Sequence, residues 1–231
     1  MQIHGFNKTT LLDYPRHLAA TIFIGGCNMR CPFCHNASLV TGAAKQPTIP
    51  EQEVLSYLAK RKGILEGVCI TGGEPTLHPD LITFITKIKE LGLKVKLDTN
   101  GTNPLLVKTL VADRLIDYIA MDIKNSKEKY ALTAGLINFS IDPILESADF
   151  LLTSPIDYEF RTTIVKEYHH REDILSIGGW LSGARAYFLQ SYEDSGDILL
   201  PGLHSHNRET LEEYAKLLTP MIPSVSVRGI V

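Results

Sequence analysis

The sequence lacks the features that would direct it to a membrane, out of the cell or onto nucleic acid. No stretch approaches the roughly 18 apolar residues that a membrane-spanning helix needs. The first residues contain no long apolar core and no small-residue cleavage site, so we expect no secretory signal. There is no long basic run, and the net charge is −3, so a nucleic-acid-binding face is not indicated. We therefore predict a cytoplasmic protein that binds neither membrane nor nucleic acid.

Cysteine is also scarce, and its distribution is uneven. Of the four cysteines, Cys27, Cys31 and Cys34 lie within eight residues, whereas Cys69 stands alone in an apolar run. Such crowding is poor spacing for a disulfide framework, and in a reducing compartment it is typical of metal binding or redox chemistry. Because a free cysteine packs like a small hydrophobic residue, we expect Cys69 to lie in the core.

Apolar runs alternate with helical patterns along the chain, which predicts an α/β fold. Strand-like runs occupy residues 18–24, 67–71, 94–97, 116–123, 158–165 and 184–189. Helices are expected at about 50–62, 79–91, 104–113, 172–181 and 208–218. This order predicts βαβ units and a parallel sheet, but it does not separate an open sheet from a barrel. The sequence shows no linker, so we predict one domain, 1–231, with an N-terminal extension and a C-terminal helical segment.

Unusual residues stand just after the predicted strands. Cys27 follows the first strand, Gly72-Gly73-Glu74 follows the second, Asp98 follows the third, and Asp122 and Lys124 end the fourth. In parallel α/β folds, the carboxyl ends of the strands carry the active site. We therefore expect these groups to converge.

Four kinds of site are compatible with the cysteine cluster. Structural zinc could use the three cysteines and His35, although zinc sites usually take ligands from two separate segments. Haem attachment is suggested by Cys31-Pro-Phe-Cys34-His35, but it normally requires export. A dithiol redox pair would leave Cys27 unexplained. A cubane cluster normally takes four cysteines, so three would leave one iron open, and an open position is typical of a reactive metal site.

Several motifs resemble a known family. The C-x3-C-x2-C loop with Phe33 before its last cysteine, followed by Gly72-Gly73-Glu74 after a second strand, resembles the radical S-adenosylmethionine (SAM) superfamily. Segments 34–36, 97–101 and 121–124 are similar to the activating enzymes of glycyl radical enzymes. Segments 5–15, 159–163 and 227–229 look like those of the activators of anaerobic ribonucleoside-triphosphate reductases. The resemblance covers nearly the whole chain and implies a partial (β/α)6 TIM-type barrel with its core at about 18–192.

The resemblance also implies an activity. Cys27, Cys31 and Cys34 would hold a [4Fe–4S] cluster whose open iron binds SAM, and a donor such as flavodoxin or ferredoxin would reduce it. The 5′-deoxyadenosyl radical released from SAM would take hydrogen from a glycine of a partner glycyl radical enzyme. The resemblance implies anaerobic ribonucleotide reductase as this partner. The alternatives are another glycyl radical enzyme such as pyruvate formate-lyase, a small-molecule or peptide substrate, and a non-enzymatic zinc-binding module.

The resemblance places further residues around SAM: Phe33, His35, Gly72, Gly73, Glu74, Asp98, Asp122, Lys124 and Arg161. The two glycines would let backbone approach the methionine part, and Glu74 would accept a hydrogen bond from its ammonium. Phe33 and His35 would lie near the cluster and the adenine, with loop packing as the alternative.

The charged members of this set have structural alternatives. Lys124 would pair with the SAM carboxylate, or it would be a solvated lysine at a strand end. Asp98 and Asp122 would bind the ligand or a monovalent cation, or they would cap local turns. Arg161 lies within an apolar strand, where an unpaired charge is costly, so we expect it to meet a carboxylate.

Histidines late in the chain give weaker signals. His204 and His206 suggest a metal site, but with no third ligand nearby we expect a surface loop. In the activating enzymes that the chain resembles, a histidine late in the barrel can approach the ligand. Here the corresponding residues 189–192 contain none.

Overall fold

The computed structural model describes residues 1–137 and 139–230, and it confirms the α/β class. The strands in this part of the chain are β1 (Ile3–Thr10), β2 (Ala19–Ile24), β3 (Gly67–Gly72), β4 (Lys94–Thr99), β5 (Tyr118–Asp122), β6 (Asp157–Ile164), β7 (Tyr187–Ser191) and β8 (Val225–Arg228). The helices are α1 (Ala37–Thr41), α2 (Glu51–Lys60), α3 (Leu81–Glu90), α4 (Pro104–Ala112), α5 (Tyr130–Thr133), α6 (Asp142–Thr153), α7 (Arg171–Trp180) and α8 (Arg208–Leu218).

The six predicted strand runs correspond to β2 through β7, and the outer strands were missed. The predicted N-terminal extension contains β1. The C-terminal segment contains β8 as well as the predicted helix α8. In β1 only Ile3 is buried, so this strand has too few apolar positions to give a strand pattern. The strand β8 has four residues and none of them is fully buried.

The contacts divide the described chain into two compact units, which we describe separately. The first unit comprises Met1–Asn28 and Ser38–Ala120, and the second comprises Met29–Ala37 with the described residues from Met121 onward. The strand β5 carries the chain from one unit into the other. The single domain remains a prediction.

In the first unit, neighbouring strands follow the chain order β1-β2-β3-β4. The strand β1 pairs with β2 in the antiparallel direction, whereas the β2–β3 and β3–β4 pairs are parallel. In this register Cys69 of β3 lies opposite Thr21 of β2 and Lys96 of β4. The polar or sulfur-bearing side chains of the three strands therefore form one row.

The two faces of this sheet differ in chemistry because side chains alternate along a strand. One face of β2, β3 and β4 carries the apolar side chains of Ala20, Ile22, Val68, Ile70, Val95 and Leu97, all with 0% exposure. Helix α3 packs beside β4, and it buries Phe84 and Ile85. The opposite face carries Thr21, Cys69, Lys96 and Asp98. The second face is the one with reactive groups.

In the second unit, β6, β7 and β8 are neighbours in chain order and all parallel. Helices α7 and α8 pack together, and α8 also packs on β8. Parallel pairing joined by helices is the βαβ arrangement that the sequence predicted. None of the helices in the described residues is both long enough and apolar enough to span a membrane.

Candidate active site

The glycine pair at the end of β3, Gly72 and Gly73, contacts the chain that leads into Cys27. The Gly73 amide donates to the Ile24 carbonyl at 2.7 Å. Gly72 has a φ of +112°, and a Cβ at this residue would lie 2.5 Å from the Ile24 oxygen. A Cβ at Gly73 would lie 1.9 Å from the Gly26 oxygen. The glycines are therefore required for close approach of two backbone segments of this unit, a role that the sequence analysis did not anticipate.

Glu74 is fully buried, and protein donors surround its carboxylate. One oxygen accepts from the Thr76 amide at 3.0 Å, the Thr76 hydroxyl at 2.5 Å and the Thr99 hydroxyl at 2.8 Å. The other oxygen accepts from the Asn100 amide at 2.6 Å. Burial raises the pKa of Glu74, and these four donors oppose that rise. Because a carboxylate has about four lone-pair sites, the structure uses Glu74 to join the turns after β3 and β4.

Asn100 lies beside the first cysteine of the loop. Its side-chain amide nitrogen is 3.9 Å from the Cys27 sulfur, and it donates to the Asn28 side-chain oxygen at 2.9 Å. Cys27 is half-buried and is not part of a disulfide. Amide donors to cysteine sulfur stabilise the thiolate and tune the potential of iron–sulfur clusters. Asn100 lies in segment 97–101, which resembles the activating enzymes, but its place in the sequence gave no sign of this contact.

Asp98 pairs with a residue that the sequence analysis overlooked. The Lys96 ammonium forms an ion pair with the Asp98 carboxylate and lies 3.8 Å from the Cys69 sulfur. Lys96 is only 1% exposed. Cys69 is buried as predicted, and its sulfur is 3.7 Å from Asp98. The available signal was a lysine between the apolar residues Val95 and Leu97 of the predicted strand.

In the second unit, Cys31 and Cys34 begin and end a tight turn. The Cys34 amide donates to the Cys31 carbonyl at 3.0 Å. Cys31 is buried and Cys34 is half-buried, and neither is part of a disulfide. Burial raises the pKa of the Cys34 thiol, while the positive charge of Lys124 lowers it. A nearby cation favours the thiolate, which is the form that binds metal.

Three charged residues predicted for the site are brought together at the ends of β5 and β6. Asp122 accepts from the Arg161 guanidinium at 2.9 Å and from the Lys124 ammonium at 3.2 Å. Although burial disfavours its charged form, the charges of Asp122 and Cys31 raise the pKa of Lys124. The expectation that Arg161 meets a carboxylate is thus confirmed. Asp122 thus holds the ammonium of Lys124 and the guanidinium of Arg161 beside one carboxylate.

His169 binds the backbone next to this group, and the sequence did not predict its role. The ring is fully buried. Its Nδ1 accepts from the Val165 amide at 3.0 Å, so Nε2 carries the proton and donates to the Lys124 carbonyl at 2.8 Å. Burial lowers the pKa of His169 to about 4, which keeps the ring neutral. His169 therefore joins the ends of β5 and β6 next to Lys124.

The two aromatic residues of the cysteine loop pack against different partners. Phe33 is buried between the rings of Tyr168 and His169, with centroid distances of 6.0 and 6.2 Å. His35 lies 5.8 Å from the ring of Tyr192, and burial lowers the pKa of His35. The Tyr192 hydroxyl is buried and has no hydrogen-bond partner in the described structure. The structure thus shows loop packing for both residues.

His204 and His206 do not converge on a metal site. His204 lies 2.7 Å from Glu167, and the His206 ring nitrogen lies 3.0 Å from the His169 carbonyl. Among residues 1–137 and 139–230, no group of three histidine, cysteine or acidic side chains is placed to hold a metal ion.

The donor set of the loop nevertheless fits an iron–sulfur cubane. Such a cluster binds each thiolate through a different iron, so its ligands do not surround a single point. Cys27, Cys31 and Cys34 supply three cysteine sulfurs, none of them in a disulfide, from eight residues of chain. The Asn100 amide beside Cys27 and the Lys124 ammonium, which lowers the pKa of Cys34, both favour the thiolate form.

Comparison with known proteins identifies the family. The family model for the radical SAM superfamily matches residues 21–166. A protein of Methanocaldococcus jannaschii with the provisional description of glycyl-radical enzyme activating enzyme is 32% identical over 99% of this chain and 96% of its own length. The pyruvate formate-lyase-activating enzyme of Listeria monocytogenes is 31% identical over 65% of this chain and 63% of its length. The 7-carboxy-7-deazaguanine synthase of Thermoplasma acidophilum is 29% identical over 69% of this chain and 72% of its own length.

Solved structures agree on the fold. The Streptococcus suis enzyme SuiB, bound to its precursor peptide SuiA, superposes with a TM-score of 0.71 and 17% identity over 90% of this chain. The chain spans about half of SuiB, because the superposition covers 48% of that protein. SuiB bound to SAM gives a TM-score of 0.68. This likeness confirms the predicted fold class, an α/β fold of partial TIM-barrel type. Because the family model matches more than half of its residues, the chain belongs to the radical SAM superfamily, a family of enzymes that work with an iron–sulfur cluster and SAM.

Proposed function

We propose that the chain is an activating enzyme that abstracts hydrogen from a glycine of a glycyl radical enzyme. The observation that carries the proposal is the match over 99% of the chain to a protein described as such an activator. Similarity to a pyruvate formate-lyase-activating enzyme supports the same class of reaction.

Cys27, Cys31 and Cys34 are the proposed ligands of a [4Fe–4S] cluster. When bound, the cluster and SAM supply the one-electron cleavage of a carbon–sulfur bond that yields the 5′-deoxyadenosyl radical. The protein's task is to bind and orient these groups. Three cysteines leave one iron open, which is the position that SAM would take.

Lys124 and Arg161 are the proposed partners of the SAM carboxylate. Both cations lie beside Asp122, and both can donate hydrogen bonds to a bound carboxylate. Charge-assisted hydrogen bonds of this kind are stronger than neutral ones. His169 fixes the backbone of Lys124 and thereby the direction of its side chain.

Glu74 is proposed to hold the turns after β3 and β4 in position. Its four protein donors already use the carboxylate, so a contact with the SAM ammonium would have to displace one of them. Gly72 and Gly73 bring this turn against the chain before Cys27. Phe33 and His35 remain proposed neighbours of the cluster and the adenine, and Asp122 remains a proposed ligand of a monovalent cation.

Anaerobic ribonucleotide reductase is the proposed partner, with flavodoxin or ferredoxin as the electron donor. Three segments of the chain look like those of the activators of that reductase. Two of these segments are joined in the structure, because Arg228 binds Glu159 through two hydrogen bonds of 3.0 and 3.1 Å. Arg228 also lies 3.3 Å above the ring of Phe188.

A small-molecule substrate is the second candidate. It is favoured by the similarity to 7-carboxy-7-deazaguanine synthase, which covers 69% of the chain. A direct comparison of substrates separates the two candidates.

The test is anaerobic reconstitution with iron and sulfide, followed by reduction with SAM. Purified anaerobic ribonucleotide reductase and pyruvate formate-lyase are added in parallel, and the glycyl radical is measured by electron paramagnetic resonance. We expect 5′-deoxyadenosine and a radical on the reductase. Cys31→Ala should lose iron and activity, whereas Cys69→Ala, the same change at a buried cysteine outside the loop, should keep its iron.

Other outcomes would change the proposal. A radical on pyruvate formate-lyase alone would keep the activity and replace the partner. Cleavage of SAM with no radical on either protein would favour a small-molecule substrate. Zinc without iron or sulfide would overturn the radical chemistry and favour the zinc-binding module.

A further inference from the structure

We propose that Lys96 supplies a built-in cation to Asp98, so that this part of the site needs no monovalent metal ion. The inference rests on the proposed function in one respect only, the role of Asp98 beside SAM. It differs from the expectation that Asp98 binds a cation from solution.

The pair is built into the polar face of the first unit. Lys96 and Asp98 stand two residues apart on β4, so both side chains point to the same face. The ammonium contacts the Asp98 carboxylate, lies 3.8 Å from the Cys69 sulfur and lies 6.0 Å from the centre of the Tyr118 ring. The side chains of Lys96 and Asp98 are 2% and 12% exposed.

Stability alone is a poor reason for such a pair. Removing two charges from water is expensive, and apolar replacements of similar volume are often neutral or stabilising. Cys69, which lies opposite Lys96 on the same face, is 0% exposed, so this face buries a residue that packs like a small hydrophobic side chain. A lysine that is 1% exposed at this position therefore points to a need for positive charge at Asp98.

An ammonium and a monovalent metal ion satisfy that need in similar ways. The lysine ammonium is a compact point charge with three donors, so it can contact the Asp98 carboxylate and the Cys69 sulfur together. Unlike a metal ion, it is tethered and does not exchange with solvent. An anionic ligand approaching Asp98 would then meet a neutral pair at any concentration of sodium or potassium.

The experiment compares the thermal stability of the cluster-free full-length protein in sodium, potassium and choline chloride at equal ionic strength. The variants are Lys96→Met, Asp98→Asn and the double variant, with Lys94→Met as the control. Lys94 is an exposed lysine on the same strand. Because neither cluster nor partner is present, the result does not depend on whether the chain is an activator.

Wild-type protein and the Lys94→Met control should have the same Tm in all three salts. Lys96→Met leaves Asp98 without its ammonium, so sodium or potassium should raise its Tm by roughly 3–6 °C at ten times the dissociation constant. The double variant should lose this response, since both charges are gone. After reconstitution, SAM cleavage should depend on these ions in Lys96→Met alone.

Two results would overturn the inference. One is a wild-type Tm that rises with sodium or potassium but not with choline. The other is a Lys96→Met protein that neither metal ion stabilises, which would mean that Asp98 simply becomes protonated. If Lys96→Met does not fold, Lys96→Gln is measured in the same salts with the same two criteria.

Discussion

Replacing Glu74 with glutamine should destabilise the protein before any cofactor is bound. The carboxylate is fully buried and accepts four hydrogen bonds, two of them from the backbone amides of Thr76 and Asn100. A glutamine side chain can accept through only one oxygen, so its amino group must face at least one of these amides. The hydroxyls of Thr76 and Thr99 can rotate to accept from it, but a backbone amide cannot.

The expected cost follows from the groups that are lost. A hydrogen bond to a charged group contributes roughly 1.5–3 kcal/mol, and a buried donor left unsatisfied costs roughly 1–3 kcal/mol. Since these terms overlap, we expect Glu74→Gln to lower the free energy of unfolding by about 2–4 kcal/mol. Glu90→Gln makes the same chemical change at an exposed residue and should stay within about 0.5 kcal/mol of wild type.

Urea unfolding of the cluster-free protein, followed by circular dichroism, measures this difference. The midpoint should fall while the slope m stays constant, as expected for a change in stability alone. A Glu74→Gln protein as stable as Glu90→Gln, but with weaker SAM binding, would refute the reasoning. Glu74 would then serve the ligand and not the turns.

Three further predictions concern the same framework. Gly73→Ala should lower the free energy of unfolding by about 3 kcal/mol or more, because its Cβ would meet the Gly26 backbone. Gly179 is a helical glycine with open space around it, so Gly179→Ala should raise that free energy by up to about 1 kcal/mol. Urea unfolding compares the two variants. Because its pKa is about 4 in the folded protein, His169 contributes stability above its unfolded pKa of roughly 6.5 that is lost as pH falls towards 4. Wild type should lose roughly 3 kcal/mol more than His169→Gln between pH 7 and pH 4, and equal losses would contradict this. Arg228→Met removes the bidentate partner of the Glu159 carboxylate, which is 1% exposed, so it should lower the free energy of unfolding by roughly 2–4 kcal/mol. The double variant Arg228→Met/Glu159→Gln should recover most of this loss, because no unpaired buried charge remains.

The chemistry-bearing motifs could be predicted because each lies in one short stretch of chain. Cys27, Cys31 and Cys34 are neighbours in sequence, and the residues after β3, β4 and β5 follow apolar runs of strand length. Alternation of strands and helices gave the α/β class for the same reason, since periodicity is a local property. The comparisons then confirmed the superfamily and the fold.

The edge strands were less visible to a periodicity argument. The strand β1 pairs with β2 through its backbone, from Ile3 opposite Ile24 to Thr10 opposite Ala19. Most of its side chains are half-buried or exposed, so they need not be apolar. Backbone pairing leaves little trace in composition, and for this reason the sequence predicted an N-terminal extension but no strand within it.

The sequence by itself determined which residue types could do the chemistry and at which strand ends they stand. Only the tertiary structure decided what those residues touch: Glu74 with Asn100, Lys96 with Cys69, and His169 with the Lys124 carbonyl. These partners are 26, 27 and 45 residues apart in the chain. The alternation of side chains reveals the face on which a residue lies, but the register between strands and the path of each turn select its neighbour. Register and turn paths are properties of the folded chain as a whole, so no local pattern encodes them.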